Sequence, residues 1–286
     1  GRDREALLVA GAYELLEVVG RDGEAALGQA GEDRVDVRPA ALVEDEAELF
    51  GFVAKAQREK LGDADGVVAF HRPSEYVQRM QTATVDEILR AIDEAARVQP
   101  GGAIAFDGDG TLWAGDIGED FFEAALSRGP HAVTREPLAR EAAEGGVVVA
   151  ANAGARDLAH AIHAAYLAGK FSEERICEIV AWIAGGWTHD ELRAFCKSTI
   201  EAVGLRDRLH GEAIRVLRHA QSSGIEAYLV SASPLDIVEA AAAVVGIPLD
   251  HVTAVRERVS SDGIVECGVV RPIPYGEGKV TNLRAL

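Results

Sequence analysis

The run "AIAFDGDGTLWAGD", residues 103–116, constrains the fold more than any other stretch. Pro100-Gly101-Gly102 closes whatever precedes it. Ala103 to Phe106 then reads as a short buried strand that leads straight into Asp107 and Asp109, with Gly108 between them. In α/β sheets ligands bind beyond the carboxyl ends of the strands. A strand that stops on two carboxylates there is poised to do chemistry.

The rest of the chain supplies the matching pattern. "VDEILRAIDEAARV" (85–98) predicts a helix before the strand. After it, "EDFFEAALS", "ARDLAHAIHAAYLAG", "SEERICEIVAWIAG" and "THDELRAFCKSTIEAVG" predict helices, with Thr188 and Glu191 spaced as a capping box. "GEAIRVLRHAQSSG" predicts a helix closed by Gly224, "IEAYLVSAS" a strand, and "PLDIVEAAAAVVG" a helix with Pro234 in its first turn. "HVTAVRERV" and "GIVECGVV" predict further strands. Strand, helical block, helix, strand, helix, strand is an α/β order with a helical insert. Ser231, like Asp107, falls at a strand's carboxyl end.

Residues 1–79 are mixed: Leu15 to Val19 and Val67 to Phe70 read as strands, Glu44 to Lys60 as a charged helix. Met80 is the only methionine, and a separate module over 1–79 competes with one continuous domain. The expected division is 1–79, 80–118, 119–204 as the helical insert, and 205–286. The chain opens on Gly1 with no visible signal peptide, so a processed product or a piece of a longer protein is expected.

A net charge of −18 argues against nucleic acid, whose phosphates need a basic face. No apolar run reaches the roughly 18 residues of a membrane span, so no membrane partner is expected. Cys177, Cys196 and Cys267 are odd in number and form no C-x-x-C pair, which predicts reduced thiols and a cytoplasmic protein. His160 and His163 have helical spacing, but no further ligand lies nearby, and an ordinary helix face is expected.

A strand-end carboxylate can attack phosphorus, provided a Mg²⁺ relieves its repulsion by the phosphate oxygens. A second acid nearby can protonate the leaving alkoxide and later deprotonate the attacking water. Gly108 and Gly110 allow backbone N–H groups to approach a phosphate. The alternative readings are turn formation for the two aspartates, helix capping for Ser231 and solvation for Lys279, while Ser233 is expected to cap the helix that starts near Pro234.

"DGDGT" (107–111) resembles the D-x-D-x-T signature of the haloacid dehalogenase superfamily. "YLVSAS" with Ser231 is similar to that family's second motif, and "GEGKVTNL" with Lys279 to its third. The resemblance covers about 100–286. It implies a Rossmann-like parallel sheet flanked by helices, with the helical cap of the phosphoserine-phosphatase-like branch inserted after the first motif strand. It implies a Mg²⁺-dependent phosphomonoesterase working through an aspartyl-phosphate. Asp107 would be nucleophile and metal ligand. Asp109 would be the general acid/base and bind the metal through its backbone carbonyl. Gly108, Thr111, Ser231 and Lys279 would serve the phosphate.

The family's fourth, acidic motif should follow Lys279, and none appears before Leu286. Truncation is the favoured explanation. Asp22, Glu24, Asp63 and Asp65 are the acids the N-terminal segment could lend, and an inactive protein is the third reading. Weak Mg²⁺ binding is therefore expected.

Asp116 and Glu119, after the first motif, imply by the same resemblance an amine-bearing phosphate ester. Trp113, Trp182 and Trp187 admit phosphocholine as a rival, unless they merely pack the core. Arg175 and Arg193 could hold a substrate carboxylate or lie on a charged surface. A catalytically silent domain that binds a phosphoester or a protein is the alternative function. A dehalogenase is disfavoured by Asp109, since halide displacement needs no such proton donor. Oligomeric state is not set by the sequence.

Overall fold

The computed structural model describes residues 17–19, 34–38, 82–98 and 100–286. The expected strand at 67–70, the expected helix at 44–60, and Asp22, Glu24, Asp63 and Asp65 lie outside the described residues. Three short strands, β1 (Glu17–Val19), β2 (Arg34–Arg38) and β3 (Thr82–Thr84), form an antiparallel sheet in that order. The pairing of β2 with β3 ties residues 34–38 to the start of the well-patterned chain.

Helix α1 (Val85–Val98) follows, with the bounds the sequence predicts. Thr84 and Glu87 cap it reciprocally: Glu87 N–H donates to Thr84 Oγ1 at 3.3 Å, and Thr84 N–H to Glu87 Oε2 at 2.6 Å. Val85, Ile88 and Ile92 point inward at helical spacing and pack the helix on the core.

Three parallel strands make the central sheet: β4 (Ala103–Phe106), β5 (Glu226–Pro234) and β6 (Val252–Val255), with β5 in the middle. Parallel strands buried on both faces need apolar side chains throughout, and Ile104, Phe106, Leu229 and Val255 supply them. Phe106 pairs with Leu229. Asp107 follows the last residue of β4, whereas Ser231, expected at a strand end, lies inside β5, two residues past Leu229, because β5 runs on to Pro234 against β6. The fold is the expected α/β class, a parallel sheet flanked by helices.

Between β4 and β5 come α2 (Ile117–Arg128), α3 (Arg135–Glu144), α4 (Ala155–Leu167), α5 (Glu173–Trp182), α6 (His189–Ala202) and α7 (Gly211–Ser222). The predicted capping box holds: Glu191 N–H meets Thr188 Oγ1 at 3.2 Å, and Thr188 N–H meets Glu191 Oε2 at 2.9 Å. Helix α5 packs on β5, and α6 packs on α8 (Leu235–Val245), which follows β5.

The expected strand at 251–259 is broken. β6 ends at Val255, and β7 (Glu257–Val259) turns away to pair antiparallel with β8 (Val265–Val269). Arg256 marks the break, and its carbonyl accepts the Val270 N–H at 2.8 Å. A seven-residue helix, α9 (Glu277–Leu283), carries Lys279. No helix among the described residues is long and apolar enough to cross a membrane.

Candidate active site

The site begins where β4 runs out. Asp107 stands one residue past the strand, and its Oδ2 lies 2.7 Å from Lys279 Nζ. Its Oδ1 accepts the Gly108 N–H at 2.9 Å. The chain then curls back, with Gly108 C=O accepting the Leu112 N–H at 2.8 Å. Gly110 takes a φ of +72°, which a side chain would oppose. At Gly108 the Trp113 ring leaves no room: a Cβ there would come within 2.5 Å of it. Glycine at 108 is thus demanded by the indole.

Asp109 is fixed from three sides. Its Oδ1 accepts Trp113 Nε1–H and the Ile117 N–H, each at 2.8 Å, and its Oδ2 accepts the Ser233 hydroxyl at 2.8 Å. Burial still pushes its carboxyl above the ordinary range, with Asp107 adding to the rise against these three donors. A carboxyl held this way keeps a proton more readily, which suits an acid.

Asp116 caps α2, accepting the Glu119 N–H at 2.9 Å. Burial, with the charges of Asp109 and Glu119, pushes it up to about 8. An open depression of about 520 Å³ lies there, lined by Ala114, Gly115, Asp116, Glu119, Asp120, Glu123 and Arg208. Arg208 is committed, ion-paired to Asp120 and donating to the Ala114 carbonyl at 2.8 Å. The depression is therefore acidic.

Ser231 is buried at the sheet edge, its Oγ accepting the Ser233 N–H at 3.0 Å. Thr111 is buried too, and its carbonyl lies 2.9 Å from His210 Nδ1. It braces the loop from within. From the helical insert, Tyr166 and Cys177 both lie near enough to Asp116 to feel its charge, and both feel Glu173. Cys177 is pushed up to about 12, first by burial, then by Glu173 and Asp116, with Lys279 pulling it down. Tyr275 joins this wall through a hydrogen bond with Glu173 and is likewise raised, chiefly by burial.

One expectation needs correction here, that of Ser233, while the packing reading of the tryptophans and the surface ion-pair reading of Arg175 and Arg193 hold. Ser233 is not a helix cap: α8 has Pro234 at its N-cap with no side-chain bond, and the Ser233 hydroxyl serves Asp109 instead. The three tryptophans are core residues. Trp113 binds Asp109, Trp182 is buried, and Trp187 has Arg128 stacked 4.0 Å over its ring and Phe195 at its edge. Arg175 pairs with Glu141 and Glu144, and Arg193 with Asp236. His160 and His163 lie 3.7 Å and 3.8 Å from Glu123 and Glu119 of α2. Sequence reading missed Trp113 and Ser233 as partners of Asp109. The only local signal was their closeness to the two motifs.

Mg²⁺ takes hard oxygen donors. The Asp107 carboxylate and the Asp109 backbone carbonyl are oxygens of that kind. Asp107 is paired with Lys279, and Asp116 climbs to about 8 chiefly through burial, with the charges of Asp109 and Glu119 adding to the rise. The residues fit a divalent hard cation in kind.

A parallel three-stranded sheet flanked by helices, with a lysine-paired aspartate and a second, hydrogen-bonded aspartate at its carboxyl edge, is a Rossmann-like α/β core. The model of the haloacid dehalogenase-like hydrolases matches residues 104–286, well over half of the chain, and the chain belongs to that family. Nothing among curated proteins matches it. Among solved structures it is similar to a protein of unknown function from Bordetella pertussis Tohama I. That likeness has 22% identity and a TM-score of 0.49, covering 63% of this chain and 71% of that one. It is also similar to a HAD family hydrolase from Salmonella enterica serovar Typhi (17%, TM-score 0.38, covering 70% and 60%). A phosphoserine phosphohydrolase-like protein from Francisella tularensis SCHU S4 is a further likeness (14%, TM-score 0.35, covering 64% and 71%).

Proposed function

We propose that the chain is a Mg²⁺-dependent phosphomonoesterase that hydrolyses a small amine-bearing phosphate ester through an aspartyl-phosphate. One observation carries this reading: the two aspartates have opposite surroundings. Asp107 is held by Lys279, while Asp109 sits among donors with a raised proton affinity. A carboxylate in contact with an ammonium, beside a buried carboxyl that keeps its proton more readily, divides nucleophile from acid.

In this reading Asp107 attacks phosphorus, forming the Oδ–P bond as the ester P–O bond breaks. Asp109 gives its proton to the departing alkoxide. Asp109 then takes a proton from water, whose oxygen attacks phosphorus and frees Asp107 and phosphate. Lys279 and the Ser231 hydroxyl, whose hydrogen is left over after its oxygen accepts Ser233 N–H, hold phosphate oxygens. Bound Mg²⁺, held by Asp107 and the Asp109 carbonyl, supplies the charge balance between carboxylate and phosphate. Residues 119–204 act as the cap, bringing Tyr166, Glu173 and Cys177 toward the substrate.

The acidic depression at Asp116 and Glu119 favours an ammonium group on the substrate. A cation arriving there restores the ionised form of Asp116. The tryptophans are consumed by packing, which favours a primary amine over a quaternary one. Free Cys177, Cys196 and Cys267 support a cytoplasmic setting.

A second reading, a silent domain that binds a phosphoester or a protein, draws on one observation. Among the described residues the metal donors expected from the motifs come down to Asp107 and Asp109. The test is release of phosphate from a panel of amino-alcohol and plain alkyl phosphates, with Mg²⁺ and with EDTA. Metal-dependent turnover highest on primary-amine esters supports the phosphatase. Absence of turnover on every ester in Mg²⁺ favours the silent domain.

A further inference from the structure

Away from Asp107, the chain brings together three side chains that the proposed reaction does not use. His189 is the first residue of α6, Asp236 lies in the first turn of α8, and Glu257 opens β7. His189 Nε2 lies 3.0 Å from Asp236 Oδ2 and 3.6 Å from Glu257 Oε1, and one ligand atom from each of the three falls within 4.8 Å of the others. The carboxylate side chains are 3% and 2% exposed, the imidazole 28%.

We propose that His189, Asp236 and Glu257 form a binding site for a divalent transition-metal ion of the zinc type, which fastens the helical insert to the sheet domain. The geometry suits the ion. Zinc bonds imidazole nitrogen and carboxylate oxygen at about 2.0–2.2 Å, so tetrahedral neighbours stand roughly 3.3–3.5 Å apart. The His189–Asp236 and His189–Glu257 separations, 3.0 Å and 3.6 Å, bracket that value.

A second feature points to a ligand independently. Glu257 Oε2 is buried and has no hydrogen-bond partner. A buried carboxylate oxygen without a donor is costly. This carboxyl, whose other oxygen faces His189, also lies in hydrogen-bond range of the Asp236 carboxyl, a pairing that only a cation or a shared proton relieves. The surroundings also resemble a ligand shell. Arg193 Nε holds Asp236 Oδ1 at 3.3 Å, leaving Oδ2 toward the cluster. Fixing a ligating carboxylate through its other oxygen is the usual outer support of a metal. The partial exposure of His189 leaves an approach for the ion and room for a water as fourth ligand.

An imidazole in the donor set separates this site from the one at Asp107, where only oxygens converge and Mg²⁺ is the expected ion. The rival state is a proton shared by Asp236 and Glu257, with His189 and Arg193 as their cations and no metal bound.

Calorimetric titration of the metal-stripped full chain with Zn²⁺, in excess Mg²⁺, decides between them. The proposal expects one Zn²⁺ per chain, a rise in melting temperature on binding, and affinity reduced about 100-fold or more in His189→Gln and Glu257→Gln. It also expects Asp107→Asn to bind Zn²⁺ as the parent does. Absence of binding to the parent chain overturns it, as does binding unchanged in both variants or lost only in Asp107→Asn. Should either variant fail to fold, Co²⁺ added to the parent chain gives the answer alone. Visible absorption of a four-coordinate nitrogen-oxygen site, displaced by Zn²⁺, supports the proposal, and an unaltered aqueous Co²⁺ spectrum refutes it.

Discussion

The Ser233 hydroxyl donates to Asp109 Oδ2 at 2.8 Å, joining the end of the central strand to the loop that follows its neighbour. Register makes this possible, because Phe106 and Leu229 lie side by side and β5 runs on past the end of β4, which carries Ser233 alongside the loop that holds Asp109. Loss of that donor has a defined sign. Ser233 lowers the Asp109 pKa against burial, so Ser233→Ala moves it further up. If Asp109 must be protonated for the first step, the alkaline limb of kcat/KM shifts to higher pH. Stability falls by about 0.5–1.5 kcal/mol, the net worth of one hydrogen bond. A pH–rate profile and a denaturant melt measure the two effects, and a limb that moves down would contradict the assignment.

Asp107→Asn removes the attacking oxygen and the carboxylate that pairs with Lys279. Turnover of p-nitrophenyl phosphate should fall to background, and beryllofluoride should no longer be trapped. Circular dichroism should be unchanged. Residual activity near that of the parent enzyme would remove Asp107 from the nucleophile's role.

Asp109→Asn should discriminate between leaving groups. Alkyl phosphates need a proton in the transition state, and their turnover should drop about 10²–10⁴-fold. p-Nitrophenyl phosphate needs little help and should lose far less. Equal losses on both classes would point to a purely structural Asp109.

Asp116→Asn addresses substrate and stability at once. The folded state holds Asp116 near 8, whereas its unperturbed value is 3.8. Between those limits the native chain binds a proton the unfolded chain does not, so stability falls as pH rises from about 4 to about 8. Asparagine still caps a helix, so the variant should lose this slope and melt higher than the parent at pH 8 in EDTA, with little difference near pH 4. Its KM for an amine-bearing ester should rise several-fold while kcat holds. A melting difference that grows toward acid pH would reverse the argument.

The sheet was legible because β4 and β5 combine apolar runs with breakers at Pro100-Gly101-Gly102 and Gly224. Helix α3 was not, because "REPLAREAAE" buries only Leu138 and Ala142 and carries Pro137 in its first turn. Its stability comes from packing against α4, which no local pattern encodes. The break at Arg256 was hidden for the opposite reason: "HVTAVRERV" is uniformly strand-like, and only pairing partners divide it between two sheets. At the site, Asp107 and Lys279 could be read from motifs, but the donors to Asp109 could not. A serine before a helix looks the same whether it caps that helix or reaches across the sheet.

Helix α9 packs half-buried on β5 and delivers Lys279, its side chain 11% exposed, to Asp107. Asp107 thus depends for its cation on a short helix tied to the sheet by packing and not by strand pairing. A protease that clipped before Glu277 would sever the lysine from the backbone that carries the aspartate, and the pair would then survive only as long as that packing did.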